Sequence, residues 1–118
     1  MEKMEQLNKV ELIGTVGTIR LEEVGEARAA RLSLATNYAY RSKDGAAVIE
    51  TTWHNVVCFE GKAVCPIQEI VKGDTLHVLG RLRRRRYLAE SGEERVVVEV
   101  LASLVEKLPV AVYHPESS

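Results

Sequence analysis

The sequence predicts an all-β domain: a five-stranded Greek-key barrel with one short helix between its third and fourth strands. Three observations predict it. Five segments are rich in β-branched and apolar residues, most of them alternating with the period of two that a strand imposes. The interruptions between them carry Gly, Asp, Ser and Glu in the manner of turns, and only the stretch between the third and fourth segments shows three- and four-residue spacing. A chain of 118 residues allows one ordinary domain and no second core. Its 46% apolar and 28% charged content is that of a soluble globular protein.

Val10 to Ile19, Val-Glu-Leu-Ile-Gly-Thr-Val-Gly-Thr-Ile, suits a long first strand over 8–21 that bends or bulges at Gly14 or Gly17. A polar turn at 22–26 follows, and Ala30, Leu32, Leu34 and Thr36 then alternate with Arg31, Ser33 and Ala35 as a second strand with one buried face. Asp44-Gly45 favours positive φ and a hairpin connection into the third strand, Val48 to Phe59. There Ile49, Thr51, Trp53, Asn55, Val57 and Phe59 share one face. Between Gly61 and Val71 the period breaks, and Val64, Ile67, Ile70 and Val71 recur as a short helix requires, with Pro66 in its first turn. Lys72-Gly73-Asp74 stops it. Leu76, Val78, Gly80 and Leu82 alternate in a fourth strand, residues 90–93 turn, and Arg95 to Leu104 supplies a fifth. This order is that of the OB-fold, and it also suits other small α+β sheets. The domain occupies 1–108, and 109–118 form a short C-terminal tail.

Sixteen Lys and Arg against seventeen Asp and Glu leave a net charge of -1, so bulk charge does not announce a polyanion-binding protein. Distribution does more. Residues 81–87 hold five arginines and no acid, and the odd positions Arg81, Arg83, Arg85 and Tyr87 fall on one strand face. Arg41 and Lys43 beside Tyr38 and Tyr40 form a second aromatic and basic cluster. Guanidinium groups pair with phosphates in two-pronged fashion, and aromatic faces stack on any base. Together these side chains suit a sequence-tolerant single-strand platform. Trp53 and Phe59, taken singly, would serve equally well as core residues.

Catalytic chemistry finds no apparatus in the sequence. His54, Cys58 and Cys65 lack the paired Cys spacing and fourth ligand of a zinc site, and the zinc deaminase pattern fails as well. Neither the G-x4-G-K-[ST] phosphate loop nor a G-x-S-x-G nucleophile elbow is present. No enzyme, metal or cofactor is expected. The two cysteines suit small buried hydrophobes better than a disulfide framework. With no apolar run long enough to span a bilayer and no secretory signal pattern at Met1 to Gln6, a cytoplasmic protein without membrane partners is expected.

Asn8 to Gly17 resembles the opening strand of the bacterial single-stranded DNA-binding protein family. Leu32-Ser33-Leu34-Ala35-Thr36, Glu50 to Phe59 with its T-x-W-H-x-V-V-x-F pattern, Lys72-Gly73-Asp74, Gly80-Arg81-Leu82-Arg83 and Val98-Glu99-Val100 follow in the family's order, so the resemblance covers about residues 8–107. It implies an OB-fold subunit of a homotetramer, associated with the nucleoid, that wraps single-stranded DNA without strong sequence preference in replication, recombination or repair. It further implies that Tyr40, Trp53, Phe59 and Tyr87 stack on bases and that His54 lies at a subunit interface. Arg41, Lys43, Arg81, Arg83, Arg84, Arg85 and Arg86 are the expected phosphate contacts. The family's flexible linker and acidic tail are not found in these 118 residues, so the chain resembles a short form, and recruitment of replication or repair enzymes through such a tail is not expected. An RNA-binding OB module, or a replication-associated adaptor without nucleic-acid binding, are the alternative readings.

Overall fold

A computed structural model of the chain describes residues 5–109. The strands are β1 (Val10–Val24), β2 (Ala27–Arg41), β3 (Ala47–Phe59), β4 (Thr75–Leu88) and β5 (Glu94–Leu108). They close into a barrel in the order β1-β2-β3-β5-β4, as the predicted OB-fold requires. The first half of β1 pairs with β4 from Val10 opposite Gly80 to Thr15 opposite Thr75, and its second half pairs with β2. One strand serves both neighbours because its ladder is interrupted between Val16 and Ile19, around Gly17. The Thr18 amide that the interruption leaves unpaired donates to Ser33 Oγ at 2.9 Å. Before β1 begins, the Asn8 side chain makes two hydrogen bonds to the Leu82 backbone, at 2.7 and 2.9 Å, standing in for one more strand residue.

The barrel interior takes the even positions of β2 and β3, with Ala30, Leu32, Leu34, Val56 and Cys58 meeting Val16, Leu76, Val78, Val100 and Val105. Burying each larger side chain contributes about 1.5–3 kcal/mol. The predicted helix is reduced to a single 3-10 turn, Ile67–Glu69. Its spacing signal came from anchoring: Ile67 and Ile70 both enter the core. The residues before Pro66 cannot join a helix, because Ala63 and Cys65 are hydrogen-bonded to Val105 of β5. Cys58 is buried, Cys65 half-buried and both are free; desolvation pushes the Cys58 thiol up to about 11.

Strands run longer than predicted because two hairpins project beyond the barrel. β2 and β3 pair without a break from Ala29 opposite Phe59 to Arg41 opposite Ala47. The connection at 42–46 puts Gly45 at φ 87 and leaves Asp44 at negative φ, so glycine alone meets the turn's demand. β4 and β5 likewise pair from Gly80 opposite Ala102 out to Leu88 opposite Glu94, whereas β3 meets β5 only at Val56–Val57, in parallel with Val100–Leu101. Leu82 has inward parity, yet it lies past the closure and is exposed. The tail expected at 109–118 falls outside the described residues from position 110 onward.

Candidate nucleic-acid interface

β3 and β5 diverge beyond their two-residue contact, and the outer faces of β1, β2, β3, β4 and β5 enclose an open groove of about 850 Å³. Thr18 and Ser33, Asn55 and Val57, Arg85 and Tyr87, and Val97 and Glu99 line it, with Arg20 and Arg31 on its wall. All the lining positions of β4 and β5 have odd numbers, which is the parity rule of a strand acting on the sequence.

Trp53 stands beside this groove with 60% of its surface exposed. Its six-membered ring lies over Gly17 and near Ser33, where any β-carbon at position 17 would overlap the ring. Exposure on that scale rules out a core role within this chain and leaves a large aromatic surface available. Phe59, on the same face of β3, is half-buried and six residues away, roughly 20 Å at 3.3 Å per residue. At the other side of the groove Tyr87 is exposed, with the Arg85 guanidinium 5.6 Å from its ring centroid in a cation–π contact. Tyr40 belongs to the other face of the β2–β3 ribbon: it pairs with Val48, whereas Trp53 pairs with Ala35. There it lies 6.0 Å from the Tyr38 ring and donates its hydroxyl to Glu50 at 3.2 Å. The four predicted stacking residues are therefore not on one face.

The arginine run divides in the same way. Arg81, Arg83 and Arg85 share the groove face of β4, whereas Arg84 and Arg86 lie on the opposite face of the β4–β5 ribbon, over Val98 and Val96. Arg81 and Arg84 are exposed and have no ion pair among the described residues, and Arg86 meets Glu94 at 3.3 Å. Arg83 and Arg85 turn inward to Glu99, at 2.7 and 3.2 Å. Arg41 donates to its own turn, to the Gly45 carbonyl at 2.8 Å, and Lys43 is exposed on that turn. His54 is half-buried and shares a 2.8 Å hydrogen bond with Thr36.

Glu99 escaped the sequence reading. It is only 2% exposed, and it also accepts from Arg31, whose Nε is held by Glu22 at 2.6 Å. Burial alone would raise its pKa, but the hydrogen bonds from Arg83 and Arg85 outweigh that and hold it below the ordinary carboxylate value. An acid in the run Val96-Val97-Val98-Glu99-Val100, at the odd parity shared with the arginines opposite, was the signal available.

The sequence model of the single-strand binding protein family matches residues 7–108. The chain is 32% identical over 105 residues to a single-stranded DNA-binding protein of Neisseria meningitidis serogroup A, a match that covers 86% of this chain and 60% of that protein. It is 34% identical over 109 residues to the single-stranded DNA-binding protein 1 of Xylella fastidiosa, covering 89% and 79% respectively. Among solved structures, the Plasmodium falciparum SSB in complex with ssDNA superimposes with a TM-score of 0.71 at 24% identity, over 92% of this chain and all of that one. A deletion mutant of the Thermus aquaticus single-stranded DNA binding protein gives 0.70 at 25% identity, over 88% of this chain and 51% of that one. The chain thus spans about three-fifths of the Neisseria relative, and the family match runs from ahead of β1 to the end of β5. It belongs to the single-strand binding protein family.

Proposed function

We propose that this protein binds single-stranded DNA without strong sequence preference and protects it during replication, recombination or repair. The observation that carries the reading is an arginine-bearing groove on the sheet face with Trp53 exposed at one side and Tyr87 at the other. Relatives named as single-stranded DNA-binding proteins support the choice of ligand. Each stacked base contributes roughly 1–3 kcal/mol, so a few rings give tight binding without reading sequence. Trp53, Phe59 and Tyr87 serve the groove, while Tyr40 and the Arg41 and Lys43 turn meet the strand where it passes round the β2–β3 arm. Arg81 takes phosphate directly, Arg83 and Arg85 do so with the donors Glu99 leaves free, and Arg84 and Arg86 contact the strand beyond the groove.

Titration of the sole tryptophan's fluorescence with polythymidine tests this. Strong quenching by the single strand, none by duplex DNA of equal length, and weakening by salt are expected. About five neutralised phosphates correspond to a slope of about -3.5 in log affinity against log salt. No quenching together with no mobility shift favours an adaptor role, and equal competition by matched RNA shows that the sugar is not read. The exposed apolar side chains Ile13, Val96 and Val98 support assembly of subunits into a homotetramer, with His54 at an interface. Sedimentation equilibrium is expected to report a tetramer, and a stable monomer at micromolar concentration rejects it.

A further inference from the structure

We propose that Glu99 is a positioning residue that acts as the resident anion of the groove, occupying its arginines so that single-strand affinity stays below what their number alone would give. The inference rests on the single-strand reading above. Arg83 commits both Nε, at 2.8 Å, and Nη2, at 2.7 Å, to the same Glu99 oxygen. That is the paired-donor edge with which a guanidinium grips a phosphate. Arg85 gives Glu99 its Nε at 3.2 Å and keeps both terminal nitrogens, and Arg31 is divided between Glu22 and Glu99. An incoming phosphate therefore meets one arginine whose best edge is filled and two that are partly neutralised.

The carboxylate is poorly placed to leave. It sits on the groove floor at 2% exposure, directly opposite Arg83 in the β4–β5 register, so a strand adds to the cluster instead of displacing it. Breaking a buried pair leaves an uncompensated charge, which keeps the arrangement intact as DNA comes and goes. A purely structural Glu99 would tie β4 to β5, and its loss could only weaken binding. A resident anion makes the opposite prediction.

Glu99→Gln keeps the shape and one acceptor while removing the charge. With polythymidine at near-physiological salt, it is expected to bind about three- to tenfold tighter than the native protein, with a slope steeper by about 0.7 for each phosphate newly taken. If Glu99→Gln binds no tighter, at an unchanged slope, while the native protein binds normally, the inference is overturned alone. A native protein that ignores the oligomer at every salt concentration sinks the single-strand reading and this inference with it. Should thermal melting show Glu99→Gln unfolded at the assay temperature, Arg83→Gln and Arg81→Gln decide the matter in its place. Loss of Arg81, which has no ion pair among the described residues, should flatten the slope by about 0.7 and loss of the occupied Arg83 by less than half of that. Equal flattening by the two contradicts a resident anion.

Discussion

Gly17 and Trp53 depend on each other. Glycine at position 17 leaves no β-carbon in the place where the indole lies, and where the strand irregularity leaves the Thr18 amide unpaired, Ser33 Oγ accepts from it. The ring is thereby seated on β1 with most of its surface in solvent, an arrangement that costs burial and makes sense for a residue that meets a ligand. Trp53→Ala should therefore remove one stacking platform, weakening polythymidine binding by about 1–3 kcal/mol, or roughly 5- to 150-fold. Its thermal midpoint should shift by only a few degrees, because little core is lost. Unchanged affinity with a collapsed melting temperature would make Trp53 a structural residue. The sequence put Trp53 and Phe59 on one strand face by parity, and that much was legible. Which of them is exposed was not, since that depends on the Trp53 ring reaching across β2 to Gly17 of β1, residues 36 positions apart in the chain.

Element by element, the five strands were legible because β-branched and apolar residues mark each and alternate in most, whereas most of their ends were not. Asn37 to Arg41 and Arg83 to Leu88 have polar or mixed composition, yet they continue as strands because each has a partner ribbon to complete its hydrogen bonds. The helix was overpredicted for a related reason: two anchoring isoleucines three residues apart satisfy a helical period within one turn. Parity puts Arg83 and Arg85 on one face of the extended run and Arg84 and Arg86 on the other, and in the structure that alternation separates Arg84 and Arg86 from the groove. That separation is measurable. Replacing Arg84 and Arg86 by Gln should leave the salt slope unaltered on an oligomer short enough to occupy only the groove, and lower it by about 0.7 per arginine on one long enough to round the arm. Equal losses on both lengths would show that the two faces of the β4–β5 ribbon serve one binding track.

At the scale of the whole barrel, two charge clusters lie on different outer surfaces and respond oppositely to pH. Glu99 joins β5 to β4 and β2 through Arg83, Arg85 and Arg31. On the surface shared by β1, β4 and β5, His77 lies between Glu11 at 2.7 Å and Glu106 at 3.0 Å, and hydrogen bonds to these carboxylates, Glu11 first, raise its pKa. For Glu99 the folded value is depressed, so its contribution is fully present above the ordinary 4.5 and is lost as pH falls through the folded value. For His77 the folded value is raised, so its contribution is fully present below the ordinary 6.5 and is lost as pH rises through the folded value. Stability should accordingly be greatest in the mildly acidic range between the two and decline on either side. The His77 cluster ties β4 to β1 as well as to β5, so the alkaline limb belongs to closure of the barrel, whereas the acidic limb rests on Arg83 and Arg85 across the β4–β5 hairpin. Thermal melts across about pH 2 to 9 should show this profile, with His77→Gln flattening the alkaline limb and leaving the acidic one. A native alkaline limb as flat as that of His77→Gln would mean that the imidazole titrates as freely in the barrel as in the unfolded chain, and that the strap across β1, β4 and β5 adds nothing to closure.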